Sequence, residues 1–319
     1  MMKRPAPLSF CAYPLAADSD HYGVQPLPDE LPPLDLAGAA PHRSVRYRVT
    51  PTADLTPAQL VAMAQVIGYS FATRDVMSRH LQPAAAPPPD LLDAVHRDPL
   101  GTSTFGSWDR SQLLYWFVRL LGLTDPTSPR SSIERNEDVI AQSVVTTDRD
   151  GQVIGGAVNE TLPSPDAELR IREGDPFLDA TMGFVAPIMD LLGTQEAEAL
   201  AALAMRYPNF AQAMTAGKVG HHFMVARSDA LPRDDTFELV ASTMERFRDH
   251  GFRYVVVEAT KQWTGAACEV LGGVRVHFAP FRAKSAVPAG PSTSKAPFSP
   301  DGFLSDKDSG SMFYVHRLA

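Results

Sequence analysis

Cysteine is almost missing from this chain. Only Cys11 and Cys268 occur among its 319 residues. Two are too few for a disulfide framework, and free thiols fit a reducing compartment. Long apolar runs are missing as well. The longest, Leu113 to Leu123, is broken by Arg119 and falls far short of the ~20 residues that span a bilayer. Lys3 and Arg4 precede an apolar stretch, but Pro7 and Pro14 interrupt it, unlike the core of a secretory leader. These shortages predict a cytoplasmic chain with no membrane partner. Basic clusters are also scarce: 29 Lys and Arg stand against 37 Asp and Glu, a net charge of −8. Without clustered cations there is no counterion release to drive nucleic-acid binding. The spacings H-x-x-x-H and C-x-x-C do not occur, so no metal is expected.

Apolar residues make up 44% of the chain, enough for a sizeable core. Residues 1–43 hold a run of prolines from Pro5 to Pro41, which reads as an extended N-terminal arm. Ser44 to Thr50 alternates like a strand. Thr56 followed by Pro57 reads as a helix start, an N-cap hydroxyl before a first-turn proline, and the helical spacing runs to about Phe71. Prolines at 83 and 87–89 interrupt the chain. An aromatic stripe with Trp108, Tyr115, Trp116 and Phe117 follows on a predicted helix. Val139 to Thr147 and Val153 to Glu160 read as a hairpin around Asp150-Gly151. Residues 182–216 read as helix, broken near Gly193 and Pro208. Strands are predicted at Gly220–Ala226, Tyr254–Val257, Val274–Phe281 and Met312–His316. Between them lie helices over Thr236–His250 and Thr264–Leu271.

The most specific stretch is Gly251-Phe-Arg-Tyr-Val-Val-Val-Glu-Ala-Thr260, followed by Thr264-Gly-Ala-Ala-Cys-Glu-Val-Leu-Gly-Gly273. Together with the hairpin Gln152-Val-Ile-Gly-Gly-Ala157, it resembles the Gcn5-related N-acetyltransferases (GNAT). The resemblance implies an α/β fold, a mixed central β-sheet flanked by helices, over residues 44–319. It leaves helical insertions at about 83–136 and 161–216. It also implies direct acyl transfer, with acetyl-CoA or another acyl-CoA as co-substrate and a small-molecule amine as acceptor. Two other readings stay open: a relative that binds without catalysis, and an acyltransferase that takes its acyl group from a carrier-protein thioester. One departure bears on them. The family's glycine-rich phosphate loop is replaced by Arg227-Ser-Asp-Ala-Leu-Pro-Arg-Asp-Asp-Thr236, which has no glycine.

Direct transfer to an amine needs a base, a proton donor for the leaving thiolate and amides that polarise the thioester carbonyl. His222 lies where family members place a base on the fourth strand, and imidazole titrates near neutral pH. Asp75 follows the first helix, resembling the base position of the arylalkylamine branch. Cys268 falls where many members carry a proton-donating tyrosine, and as a residue it reads equally as a buried apolar side chain. By the same resemblance the backbone of Met224, Val225, Ala226 and Arg227 would meet the pantetheine arm. Arg233 and Thr236 would meet phosphate. His221, His222, Asp229 and Glu258 could be read as metal ligands, but nothing in their spacing supports it.

Overall fold

The computed structural model describes residues 23–36, 47–74, 137–162, 176–231, 236–280 and 310–318. Its strands are β1 (Gly23–Val24), β2 (Arg48–Pro51), β3 (Val144–Thr147), β4 (Val153–Leu162), β5 (Val219–Arg227), β6 (Tyr254–Ala259), β7 (Val274–Pro280) and β8 (Gly310–Arg317). They form one sheet in the order β1-β7-β8-β6-β5-β4-β3-β2. Neighbours run antiparallel except β5 and β6, which run parallel. The helices are α1 (Pro57–Arg74), α2 (Glu137–Gln142), α3 (Pro176–Arg206), α4 (Pro208–Thr215), α5 (Thr236–Asp249) and α6 (Gln262–Val270). The mixed α/β sheet flanked by helices is the architecture that the resemblance implied.

Local chemistry explains several elements. The Thr56 hydroxyl accepts from the Gln59 amide, and the Gln59 side-chain oxygen accepts from the Thr56 amide. This reciprocal pair starts α1. The β3–β4 turn closes through the Asp148 carboxylate, which accepts from the amides of Asp150 and Gln152. Gly151 takes φ +79° there, which glycine adopts without strain. Pro208 opens α4 in the first turn, where a missing N–H costs nothing.

Two helical layers cover the sheet. On one face α5 and α6 pack Val240, Met244, Phe247, Ala267 and Leu271 against Val255 and Val257 of β6 and Tyr314 of β8. On the other, Ala199 and Leu203 of α3 and Phe210 of α4 pack against Leu162, Val219, Val256 and Phe313. Strand alternation assigns α1 to this second layer. Met63 of α1 lies where a side chain at Gly156 would project, and Gly156 shares a face of β4 with Glu160 and Leu162.

Two features depart from the sequence reading, and a third adds to it. Residues 137–142, read in part as a strand, form α2. Their end is fixed by partners remote in sequence: the Thr52 hydroxyl donates to the Ile140 carbonyl (2.6 Å) and the Arg246 Nε to the Ala141 carbonyl (2.5 Å). Helix α3 runs through Gly193 without a break, held on the far side by the buried Gln195, Ala199 and Leu203. Residues 23–36 of the arm run along the sheet. β1 pairs with β7, and Pro33 bridges to Arg317 of β8. The aromatic stripe at 108–117 lies outside the described residues.

Candidate active site

The middle of the sheet is parted. β5 stays paired with β4 as far as Arg227, but its ladder to β6 ends at His222↔Val257. Beyond that rung β6 keeps its partner β8 as far as Ala259↔Met312. The two halves of the sheet therefore separate at the carboxyl ends of two parallel strands, the position where open α/β sheets bind ligands. The register of β4 and β5 shifts at the same level. Asn159 faces His222 and Val158 faces Met224, so Phe223 is the extra residue of a β-bulge, a device that re-aims side chains.

His221 stands at the foot of the wedge on the α1/α3 face. Its Nδ1 lies 3.0 Å from Glu160 Oε1 and its Nε2 3.8 Å from Glu258 Oε2. Phe223 sets its ring against the imidazole, centroids 5.3 Å apart and edge to face. The side chains of His221 and Glu258 are 3% and 2% exposed, whereas Glu160 keeps 26%, so Glu160 marks the side open to solvent. Burial alone would discharge the imidazole. Hydrogen bonding to Glu160 and the charges of Glu196, Glu258 and Glu160 outweigh it and raise its pKa to about 9. Burial pushes the Glu258 carboxyl up to about 7 against the lowering influence of His221. Glu258 Oε1 and His221 Nε2 are among the buried polar atoms without a hydrogen-bond partner, each of which calls for an explanation such as a bound water or ion or a catalytic role.

His222 points to the other face. Its Nδ1 lies 2.7 Å from Asn159 Oδ1, while Asn159 Nδ2 donates to the Gln142 carbonyl and the Thr243 hydroxyl. The amide orientation thus fixes the proton on His222 Nδ1. Burial, with the neighbouring His221 and His316, holds the ring neutral with a pKa lowered to about 3. Cys268 is also on the α5/α6 side, fully buried among Val240, Met244 and Leu271. Burial raises its thiol pKa far above the usual range. Sequence reading weighed Glu258 only as a metal ligand. Its signal was a carboxylate closing the run Tyr254-Val-Val-Val, a charge at the end of a strand buried on both faces.

Met224, Val225 and Ala226 line the β5 side of the wedge, past the last rung to β6. Arg227 ends the strand and folds back, its Nη1 donating to the carbonyls of Leu231 (2.6 Å) and Ser228 (3.4 Å). The Ser228 amide donates to the Ile154 carbonyl and the Ala230 amide to the Ser228 hydroxyl. Arg227 Nη1 and the Ala230 amide are thus committed within the turn, and the Ser228 amide to β4. Thr236 is the first residue of α5, while Asp75 and Arg233 lie outside the described residues. Among the described residues no group of three or more His, Cys, Asp or Glu side chains is arranged to hold a metal ion. No described helix is long and apolar enough to cross a membrane.

No family model and no curated protein matches the sequence. Solved structures do match. The C-terminal condensation domain of Ebony in complex with beta-alanyl-dopamine aligns with 86% of this chain and 100% of its own, at 12% identity and TM-score 0.49. Mosquito arylalkylamine N-acetyltransferase like 5b aligns over 85% and 100%, at 15% identity and TM-score 0.47. Arylalkylamine N-acetyltransferase 2 from Aedes aegypti aligns over 86% and 99%, at 13% identity and TM-score 0.46. The mixed sheet with a parted parallel pair in its middle is the arrangement that the resemblance to the Gcn5-related acetyltransferases implied; such a frame fixes where a site can form and leaves its chemistry to the residues in it.

Proposed function

We propose that this protein transfers an acyl group from a CoA thioester to an amine. The observation that carries the reading is the buried Glu258–His221–Glu160 cluster at the point where β5 and β6 part. The thioester's pantetheine arm would lie in the wedge along Met224, Val225 and Ala226, whose extended backbone suits an extended amide-bearing chain. The ammonium of the acceptor would enter from the α1/α3 face past Glu160 and meet Glu258. A carboxylate held near pKa 7 is matched to a general base working at neutral pH. Glu258 takes the ammonium proton, and the amine nitrogen forms its bond to the thioester carbon. The C–S bond then breaks, and the departing thiolate takes the proton that the acylated nitrogen must still lose to become an amide. His221, held as an imidazolium between the carboxylates, keeps Glu258 oriented. The base is thus assigned to Glu258 in place of His222, whose neutral ring faces the opposite layer.

The test is calorimetric titration of acetyl-CoA into the protein, followed by thiol release on adding an amine. Binding with amine-dependent thiol release supports the reading. Absence of both leaves a protein that binds something else through the same frame. A carrier-protein thioester as donor is favoured by one observation, the commitment of Arg227 Nη1 and the Ala230 amide inside their own turn and of the Ser228 amide to the Ile154 carbonyl of β4. Phosphopantetheine carries no nucleotide for that turn to hold, so equal binding of acetyl-CoA and acetyl-phosphopantetheine would support it.

A further inference from the structure

Resting on the acyl-transfer reading, we infer that the first turn of α6 is a clasp that holds the wedge shut in the free protein and swings aside when a pantetheine thioester enters. The observation is a pair of side-chain bridges across the gap. Past the His222↔Val257 rung the backbone ladder between β5 and β6 has ended. Two side chains from the junction of β6 and α6 cross in its place. Lys261 sets its Nζ over the ring of Phe71 of α1, 5.2 Å from the centroid. Trp263 packs against the cluster of Val144, Ile154, Ala157, Val225, Leu231 and Leu239. Both targets belong to the other half of the sheet: α1 covers β4 through Met63 at Gly156, and the cluster is drawn from β3, β4, β5, the turn after β5, and α5. They also approach from opposite faces, α1 from one and Leu239 of α5 from the other. One turn of chain therefore grips the β4–β5 half from both sides. Trp263 packs on the group that includes Val225, a residue along which the pantetheine arm would lie.

The rest of α6 is held differently from this turn. Ala267, Cys268 and Leu271 are buried in the α5/α6 core. The N-cap position is Lys261, whose side chain makes no capping hydrogen bond, so the stabilisation that Ser, Thr, Asp or Asn gives a helix start is missing. Gly265 lies in the same turn, where a side chain would come within 3.0 Å of Tyr314 Oη, and glycine loosens a helix relative to alanine. The two bridges thus secure an end of the helix that is weakly held by its own backbone. A lysine–aromatic contact is individually weak, and an indole on an apolar cluster is held by burial rather than by directed bonds. An incoming arm that covers the same cluster replaces that burial. While the clasp is shut the wedge does not bind, so the apparent affinity is lowered by the fraction of molecules that stand open.

The test uses the full chain with Trp108 and Trp116 replaced by Phe, which leaves Trp263 as its only indole. Acetyl-CoA and acetyl-phosphopantetheine are titrated in, with binding read by calorimetry and Trp263 by its emission and by iodide quenching. The expected result is an emission shift to longer wavelength and a rise in quenching, both in step with binding. In Trp263→Ala the thioesters should bind about tenfold tighter, because the shut state no longer competes. In Lys261→Ala the gain should be about two- to fivefold, the worth of an exposed cation–π contact. Weaker or unchanged binding in Trp263→Ala would make the indole a wall of the site or a bystander, and overturns the clasp. Thioester binding that leaves Trp263 emission and quenching unchanged overturns it too, and still does so if Trp263→Ala fails to fold. Both results leave acyl transfer standing. Binding of neither thioester overturns the acyl-transfer reading and the clasp with it.

Discussion

Replacing Glu258 by Gln should make the protein more stable and nearly inactive. In the fold the Glu258 carboxyl is raised from 4.5 to about 7, chiefly by burial. Between those values the native state holds a proton that the unfolded chain has released, so stability falls as pH rises from about 4.5 to about 7 and stays lowered above it. The span corresponds to about 3 kcal/mol. Glutamine has the same shape and no charge to desolvate, so it recovers that loss, in which the attraction to His221 is already counted. The expected gain is about 1–3 kcal/mol at pH 8 and close to nothing at pH 4.5, where Glu258 is itself largely neutral. Urea unfolding at the two pH values reads it directly as a shift in midpoint at constant slope. Turnover should drop by about 10²–10⁴, the usual weight of a positioned base. The wild-type rise in rate through pH 7 should vanish from what remains. A variant that loses stability at pH 8 would show that the charge is a net stabiliser, and a variant that keeps its turnover would remove Glu258 from the chemistry.

Other consequences of the structure are open to measurement. His222 and His316 are buried with pKa values lowered to about 3 and about 4, so the unfolded chain binds protons that the native one refuses. Stability should therefore fall as pH drops below 6.5, by up to about 3 kcal/mol per ring at pH 4, offset in part by the gain of up to about 3 kcal/mol as Glu258 takes its proton. A urea midpoint that is flat between pH 6.5 and 4 would contradict this. In Gly220→Ala the new methyl would lie 2.4 Å from Phe247 Cε1 in the α5 core. Overpacking of this kind costs about 1–3 kcal/mol, and an unchanged melting temperature would show that the ring has room to move. With Cys11 replaced by Ser, the remaining Cys268 should resist an aromatic disulfide reagent until urea unfolds the chain, because its thiol is buried and its pKa raised. Prompt labelling of the native protein would count against that burial.

Much of the frame could be read in the order of residues, because it rests on local signals. Thr56 and Pro57 mark the start of α1, Asp150-Gly151 the hairpin turn, and the apolar run at 254–257 the buried strand β6. What escaped rests on contacts between distant segments. Val139 and Ile140 alternate acceptably for a strand, and only Thr52 and Arg246, arriving from elsewhere, gather the carbonyls that make α2. Gly193 reads as an interruption, but the packing of Leu203 and Ala199 carries α3 through it. The choice between the two adjacent histidines depends on which face of β5 each occupies. That face is settled by Glu160 and Asn159 across the β4 ladder, where the bulge at Phe223 breaks simple alternation. Glu258 stood in plain view as a carboxylate closing an apolar strand, a local oddity whose meaning comes from the parting of β5 and β6 around it.

The placing of β8 bears on how the chain reaches this state. It follows every other described strand in sequence, yet it lies inside the sheet between β6 and β7. While the chain is being synthesised, β2 to β6 can pair before it exists, leaving β6 with an open edge. β7 has no neighbour in the main body of the sheet until β8 arrives, and the bridge from Pro33 to Arg317 can form only then. Loss of residues 310–317 would take a slat from the middle of the sheet and strand β7 and β1 beyond the gap. A chain lacking this strand would leave the inner edge of β6 unpaired, an open template for pairing with other chains.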